Sequence, residues 1–86
     1  NDYTAKSVFA LVEKILPSLQ SAVDVGCATG SWLANFHRLG VKKILGYDGY
    51  LEDLSLLEIP RERFIRQDLT KLFHCEGKFD LAICLE

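Results

Sequence analysis

Asp24, Gly26, Gly30, Asp48 and Asp68 are the residues of this 86-residue chain whose types and spacing suit chemistry. Gly26 and Gly30 bound a short loop, Gly26-Cys27-Ala28-Thr29-Gly30, that follows the apolar run Val23-Asp24-Val25. Glycine adopts backbone conformations closed to other residues and lets a ligand approach the main chain. A strand-to-helix turn of this kind aims unpaired N–H groups at whatever sits there. The carboxylate of Asp24 is placed to anchor a cation or to order the loop. Asp48 follows Gly26 by 22 residues. In a β-α-β unit a carboxylate at that distance suits ribose hydroxyls. Gly49 then gives backbone clearance, and Tyr50 is placed to lie against a flat ring. An Asp-Gly pair is also a common turn. Asp68 precedes Thr70, and both are helix-capping types.

The elements that must position these residues follow from periodicity. Val8, Leu11, Val12 and Ile15 fall at helical spacing from Tyr3 to Leu16, and Pro17 ends that helix. Ser21 to Val25 reads as a first strand. Thr29 to Leu39 reads as a helix, its start at Thr29 or Ser31, with Trp32, Leu33, Phe36 and Leu39 on one face and Gly40 as its stop. Lys43 to Tyr47 is a second strand ending at Asp48, and Leu51 to Leu57 a short helix or turn. Arg63 to Arg66 is a third strand. Phe79 to Leu85 is an apolar run suited to a strand covered on both faces. Strands alternating with helices imply an α/β domain with a parallel sheet and right-handed crossovers. Ligands of such sheets bind beyond the carboxyl ends of the strands.

The run VDVGCATGSWL resembles motif I of the class I S-adenosylmethionine-dependent methyltransferases, roughly (V/L)D(V/L)GxGxG. The middle glycine is Ala28 here, which fits a backbone of negative φ and adds one methyl. GYDGY, RQDLT and FDLAICLE follow in the family's order, the last resembling motif IV. The resemblance implies a doubly wound, Rossmann-like parallel sheet. The family's strand order is 3-2-1-4-5-7-6, of which this chain holds the part ordered 3-2-1-4. Residues 1–86 therefore read as a single partial domain, the N-terminal half of a methyltransferase catalytic domain.

The resemblance further implies S-adenosylmethionine as cofactor and S-adenosylhomocysteine as product. Asp24, Gly26, Cys27, Ala28 and Gly30 would surround the methionine portion. Asp48, Gly49 and Tyr50 would meet the ribose and adenine face, and Asp68 and Leu69 the adenine edge. Cys84, Leu85 and Glu86 would lie at the ligand end of the fourth strand, beside the methionine part. The reaction implied is displacement of the sulfonium methyl by an O, N or C nucleophile, with no general base identified in this chain. Nucleic-acid amino-methyltransferases carry (D/N/S)-P-P-(Y/F/W) where this chain reads Leu85-Glu86, so the acceptor expected is a small molecule, sugar or lipid precursor.

Composition narrows the rest. Apolar residues make up 49% and charged residues 26%, the balance of a globular domain. A net charge of −2 without a basic cluster gives no nucleic-acid signal. No apolar run approaches the ~20 residues of a membrane span, and no signal-peptide layout opens the chain, so the expectation is cytoplasmic. Cys27, Cys75 and Cys84 are an odd set without C-x-x-C spacing, and His37 and His74 add no ligand pairing. Neither a disulfide framework nor a metal site is expected. Cys27 is a small residue suiting the loop, or a reactive thiol if its pKa is depressed. Two other readings share the strand–loop–helix logic: an NAD(P)-dependent oxidoreductase, whose fingerprint is G-x-G-x-x-G, and a non-catalytic cofactor- or partner-binding domain. An apolar fourth strand at the sheet edge also predicts self-association of the fragment, which by itself would be poorly stable and inactive.

Overall fold

A computed structural model describes Lys14, residues 18–75 and residues 77–84 of the chain. Lys14 is helical, and the remainder of the helix expected from Tyr3 to Leu16 lies outside the described residues, as do Leu85 and Glu86.

Four strands form one parallel sheet: β1 (Ser21–Val25), β2 (Lys43–Asp48), β3 (Phe64–Arg66) and β4 (Leu81–Ile83), in the order β3-β2-β1-β4. The architecture is therefore an α/β sheet with the expected 3-2-1-4 order. One helix of eight residues, α1 (Ser31–Arg38), connects β1 to β2. Two short 3₁₀ turns, Leu54–Leu56 and Arg61–Arg63, lie between β2 and β3.

Strand register decides which side chains share a face. Ala22 pairs with Ile44, Asp24 with both Gly46 and Ile83, and Gly46 with Phe64. Alternation along each strand then puts Ala22, Asp24, Ile44, Gly46, Asp48, Phe64 and Ile83 on one face. The apolar members of that face meet Leu33 and Phe36 of α1, together with Leu19, Val41 and Ile59, in a single core. Two charged residues, Asp24 and Asp48, are thus carried on the core side by register alone. On the opposite face the ring of Tyr47 packs against Phe73 at 5.2 Å.

Four boundaries settle or depart from the sequence reading, each for a local reason. The helix begins at Ser31 rather than Thr29 because Gly30 sits in the left-handed region, at φ +80°, outside the helical basin. Leu39 closes α1 as its C-cap and is exposed, so the buried face is Leu33 and Phe36, with Trp32 half-buried at 6.0 Å from the Phe36 ring. The third strand starts at Phe64, because Arg63 completes the 3₁₀ turn opened after Pro60. The fourth strand is confined to Leu81–Ile83 and is not covered on both faces: Ile83 is buried while Ala82 is exposed. Asp80 ties the start of β4 to β1, accepting the Gln20 N–H at 2.8 Å while its own N–H donates to Ser21 Oγ at 2.9 Å. No described helix is long and apolar enough to cross a membrane.

Candidate functional site

The loop after β1 is bolted to the end of β2 by successive amides. Gly26 N–H and Cys27 N–H both donate to the Tyr47 carbonyl, at 2.7 and 3.0 Å, and Ala28 N–H donates to Asp48 Oδ2 at 2.9 Å. Keeping three neighbouring amides on two adjacent acceptors at the end of β2 bends the chain into left-handed backbone at Gly26 and Ala28. Gly26 has φ +86°, and a Cβ there would make only ordinary contact with Leu69 Cδ1 at 3.8 Å, so its backbone and not space requires glycine. Ala28 has φ +52°, the one non-glycine in this region among the described residues, which corrects the negative φ expected for it. Its bond to Asp48 offsets a conformation that costs an L-residue roughly 1–2 kcal/mol. Gly30 is constrained twice, by φ and by Ile59, whose Cγ1 would stand 2.9 Å from a Cβ.

Asp48 is the hinge point of the arrangement. Its Oδ1 accepts Tyr50 N–H at 2.7 Å and Leu51 N–H at 2.9 Å, while Oδ2 accepts Ala28 N–H. Burial pushes its pKa up, but the bonds from Tyr50, Ala28 and Leu51, with Arg66 nearby, outweigh burial and hold it below the usual carboxylate range. A carboxylate has about four acceptor positions. Three are filled, two on Oδ1 and one on Oδ2, which leaves one acceptor position on Oδ2.

Asp24 behaves in the opposite way. It is 3% exposed, and burial, followed by the nearby charge of Asp48, pushes its pKa up to about 6. Burial, Asp24 and Asp48 likewise push the Cys27 thiol up to about 12. Cys27 is a core residue whose Sγ occupies the space left by Gly46, where a Cβ would come within 2.6 Å of it. The reactive-thiol alternative is thereby corrected to the packing one. Gly49 also serves packing: a Cβ there would meet the Gln67 carbonyl at 2.5 Å, so its clearance accommodates the backbone after β3 rather than a ligand.

A cleft of about 500 Å³ opens beyond the carboxyl ends of the strands. That volume lies within the ~300–1,000 Å³ of small-molecule sites. Every strand end contributes: Val25 and Gly26 at the end of β1, Asp48 and Tyr50 at the end of β2, Leu69 and Thr70 after β3, and Cys84 after β4. Tyr50 is 74% exposed at its mouth. Four of the residues singled out from the sequence, Gly26, Asp48, Tyr50 and Leu69, thus line one cleft. Asp24, Cys27, Ala28, Gly30 and Gly49 do not line it, and Ala28 is tied to the lining residue Asp48 by its N–H.

Asp68 does not line the cleft. Its Oδ1 accepts Thr70 Oγ1–H at 2.6 Å and Thr70 N–H at 2.9 Å, and these bonds hold its pKa below the usual range. It caps a turn and not a helix, and its neighbours Leu69 and Thr70 line the cleft in its place. Val25 and Thr70 were missed as lining residues. Proximity to a strand's carboxyl end was the available signal for both, as it is for Cys84. Leu85 and Glu86 lie outside the described residues. Compared with protein families, with curated proteins and with solved structures, the chain matches none.

Proposed function

We propose that this chain forms the cofactor-binding part of an S-adenosylmethionine-dependent methyltransferase of class I, acting on an O, N or C acceptor of a small molecule, sugar or lipid precursor. The observation that carries the reading is the convergence of Gly26, Asp48, Tyr50 and Leu69 on one cleft beyond the carboxyl ends of parallel strands. The residues present fit the cofactor. Gly26 has no side chain to fill the cleft beside β1, the free position on Asp48 Oδ2 suits a ribose hydroxyl, and Tyr50 and Leu69 offer apolar surface to a flat base. When bound, S-adenosylmethionine supplies an electrophilic methyl group on its sulfonium. Because that reagent is already activated, the work of the chain is positioning and exclusion of water. Asp48 serves that positioning: one carboxylate holds the glycine loop and the turn after β2, and its remaining acceptor position would take a sugar hydroxyl.

Calorimetric titration of the longest soluble form of the protein with S-adenosylhomocysteine, run beside NAD, tests the reading. Binding of S-adenosylhomocysteine alone is expected, weakened about tenfold or more by Asp48→Ala through loss of a charged hydrogen bond. Binding of NAD instead would overturn the assignment to this family. Binding of neither by a protein that melts cooperatively would favour a non-enzymatic domain.

A further inference from the structure

The glycine loop is fastened from two sides, and only one of them is β2. Thr29, between Ala28 and Gly30, is held at two points by Glu58. Its hydroxyl donates to Glu58 Oε2 at 2.6 Å, and its carbonyl accepts the Glu58 N–H at 2.8 Å. The next residue, Ile59, lies in the core with Leu33 and covers Gly30, its Cγ1 standing 2.9 Å from where a Cβ would be. Both residues belong to the connection between β2 and β3, where the chain is extended at Leu57 and Pro60 between the two 3₁₀ turns. Burial of Ile59 fixes that segment, and the adjacent Glu58 is thereby brought to Thr29.

The two fastenings fall on consecutive residues. Asp48 takes the Ala28 N–H, and Glu58 takes the hydroxyl and the carbonyl of Thr29. Between them they hold Ala28 at φ +52°, a conformation that an L-residue keeps only where its surroundings impose it. Gly26 and Asp48 line the cleft, whereas Thr29 and Glu58 do not. The effect of Glu58 on a ligand therefore passes through the loop.

We infer that Glu58 is a positioning residue of this site, keeping the glycine loop in its binding shape before any ligand arrives. The inference rests on the methyltransferase reading and adds to it a residue outside the cleft. A loop held ready loses little freedom on binding. A loose loop is competent only part of the time, and apparent affinity falls by that fraction.

Glu58→Ala removes the carboxyl group and keeps the backbone bond to Thr29. Calorimetry is expected to show S-adenosylhomocysteine bound about fivefold more weakly, the scale of one net hydrogen bond. Glu58→Gln keeps an acceptor for the Thr29 hydroxyl and should stay within about twofold of the parent. Thr29→Val should weaken binding as Glu58→Ala does, and the double variant no further, since both changes remove the same bond. A lowered melting temperature with unchanged affinity in Glu58→Ala would reduce Glu58 to a stabilising contact and overturn the inference. Hydrogen exchange of the ligand-free protein gives a second readout. The Ala28 and Gly30 amides, which donate to Asp48 and to the Cys27 carbonyl, should exchange faster in Glu58→Ala, with the amides of β1 and β2 unchanged. Equal protection of the loop in parent and variant would overturn the inference whatever the ligand. Absence of S-adenosylhomocysteine binding by the unaltered protein would overturn the cofactor reading, and the exchange rates would still decide whether Glu58 holds the loop.

Discussion

Asp24 and Asp48 stand on the same face of adjacent strands, and their carboxyls are driven in opposite directions. The difference is donors. Asp48 lies at a strand end where three loop amides reach it, whereas Asp24 is one residue from its strand's end, with Gly46 and Ile83 across from it. A carboxyl raised from 3.8 to about 6 binds its proton more tightly in the folded state. Its contribution to stability is complete below about pH 4 and is lost as pH rises through about 6. Asp48, depressed, contributes above the ordinary carboxyl range and loses that contribution as the pH falls through its folded-state value. Asp24→Asn removes the unfavourable charge, so the variant is expected to be more stable than the parent by ~1–3 kcal/mol at pH 7. The two should converge near pH 4. Urea unfolding at both pH values measures this, and a parent at least as stable as the variant at pH 7 would sink the argument.

At the scale of elements, β2 is the strand on which the site is assembled. It pairs with β1 and β3, accepts the loop amides on the Tyr47 carbonyl, and ends in Asp48. Its middle residue, Gly46, is the point where the turn after β1 and helix α1 press closest to the sheet. A methyl there would lie 2.6 Å from Cys27 Sγ and 3.2 Å from Leu33 Cδ1. Gly46→Ala is expected to destabilise the domain by ~1–3 kcal/mol through overpacking. In a Cys27→Ala background the nearest clash disappears, so the cost should be smaller there, with a coupling of about 0.5 kcal/mol or more in a double-mutant cycle. Strict additivity would show that Gly46 does not owe its identity to the thiol.

For the whole molecule, the three cysteines report three depths: Cys27 is buried in the core, Cys75 is half-buried and Cys84 is exposed on the cleft. Thiol reagents attack the thiolate, which is scarce at Cys27 because its pKa is raised to about 12. Maleimide labelling followed by peptide mass spectrometry should therefore modify Cys84 in the native protein and reach Cys27 only on unfolding. S-adenosylhomocysteine at saturating concentration is expected to slow the labelling of Cys84 several-fold while leaving Cys75 unchanged. Rapid native labelling of Cys27 would contradict the packing of the loop. Undiminished labelling of Cys84 in the presence of bound ligand would place that ligand outside the cleft.

Local chemistry made much of this legible in the chain itself. The β-branched run into Gly26, the 22-residue interval to Asp48 and the Gly40 stop determine the first β-α-β unit, since strand, turn and helix signals act over a few residues. They also determine that Gly26, Asp48 and Tyr50 lie at strand ends, as the Arg63 to Arg66 run does for Leu69, and a parallel sheet gathers such ends at one edge. The orientation and burial of side chains were not legible, because both depend on contacts between residues distant in sequence. Ala28 takes positive φ because Asp48, 20 residues on, accepts its N–H. Cys27 is buried because Gly46 makes room for it in the core, and burial raises its thiol pKa. The sequence by itself determined which residues come to the carboxyl edge of the sheet; only the tertiary structure decided which of them face the cleft, because register, burial and hydrogen-bond partners exist only once the strands are paired.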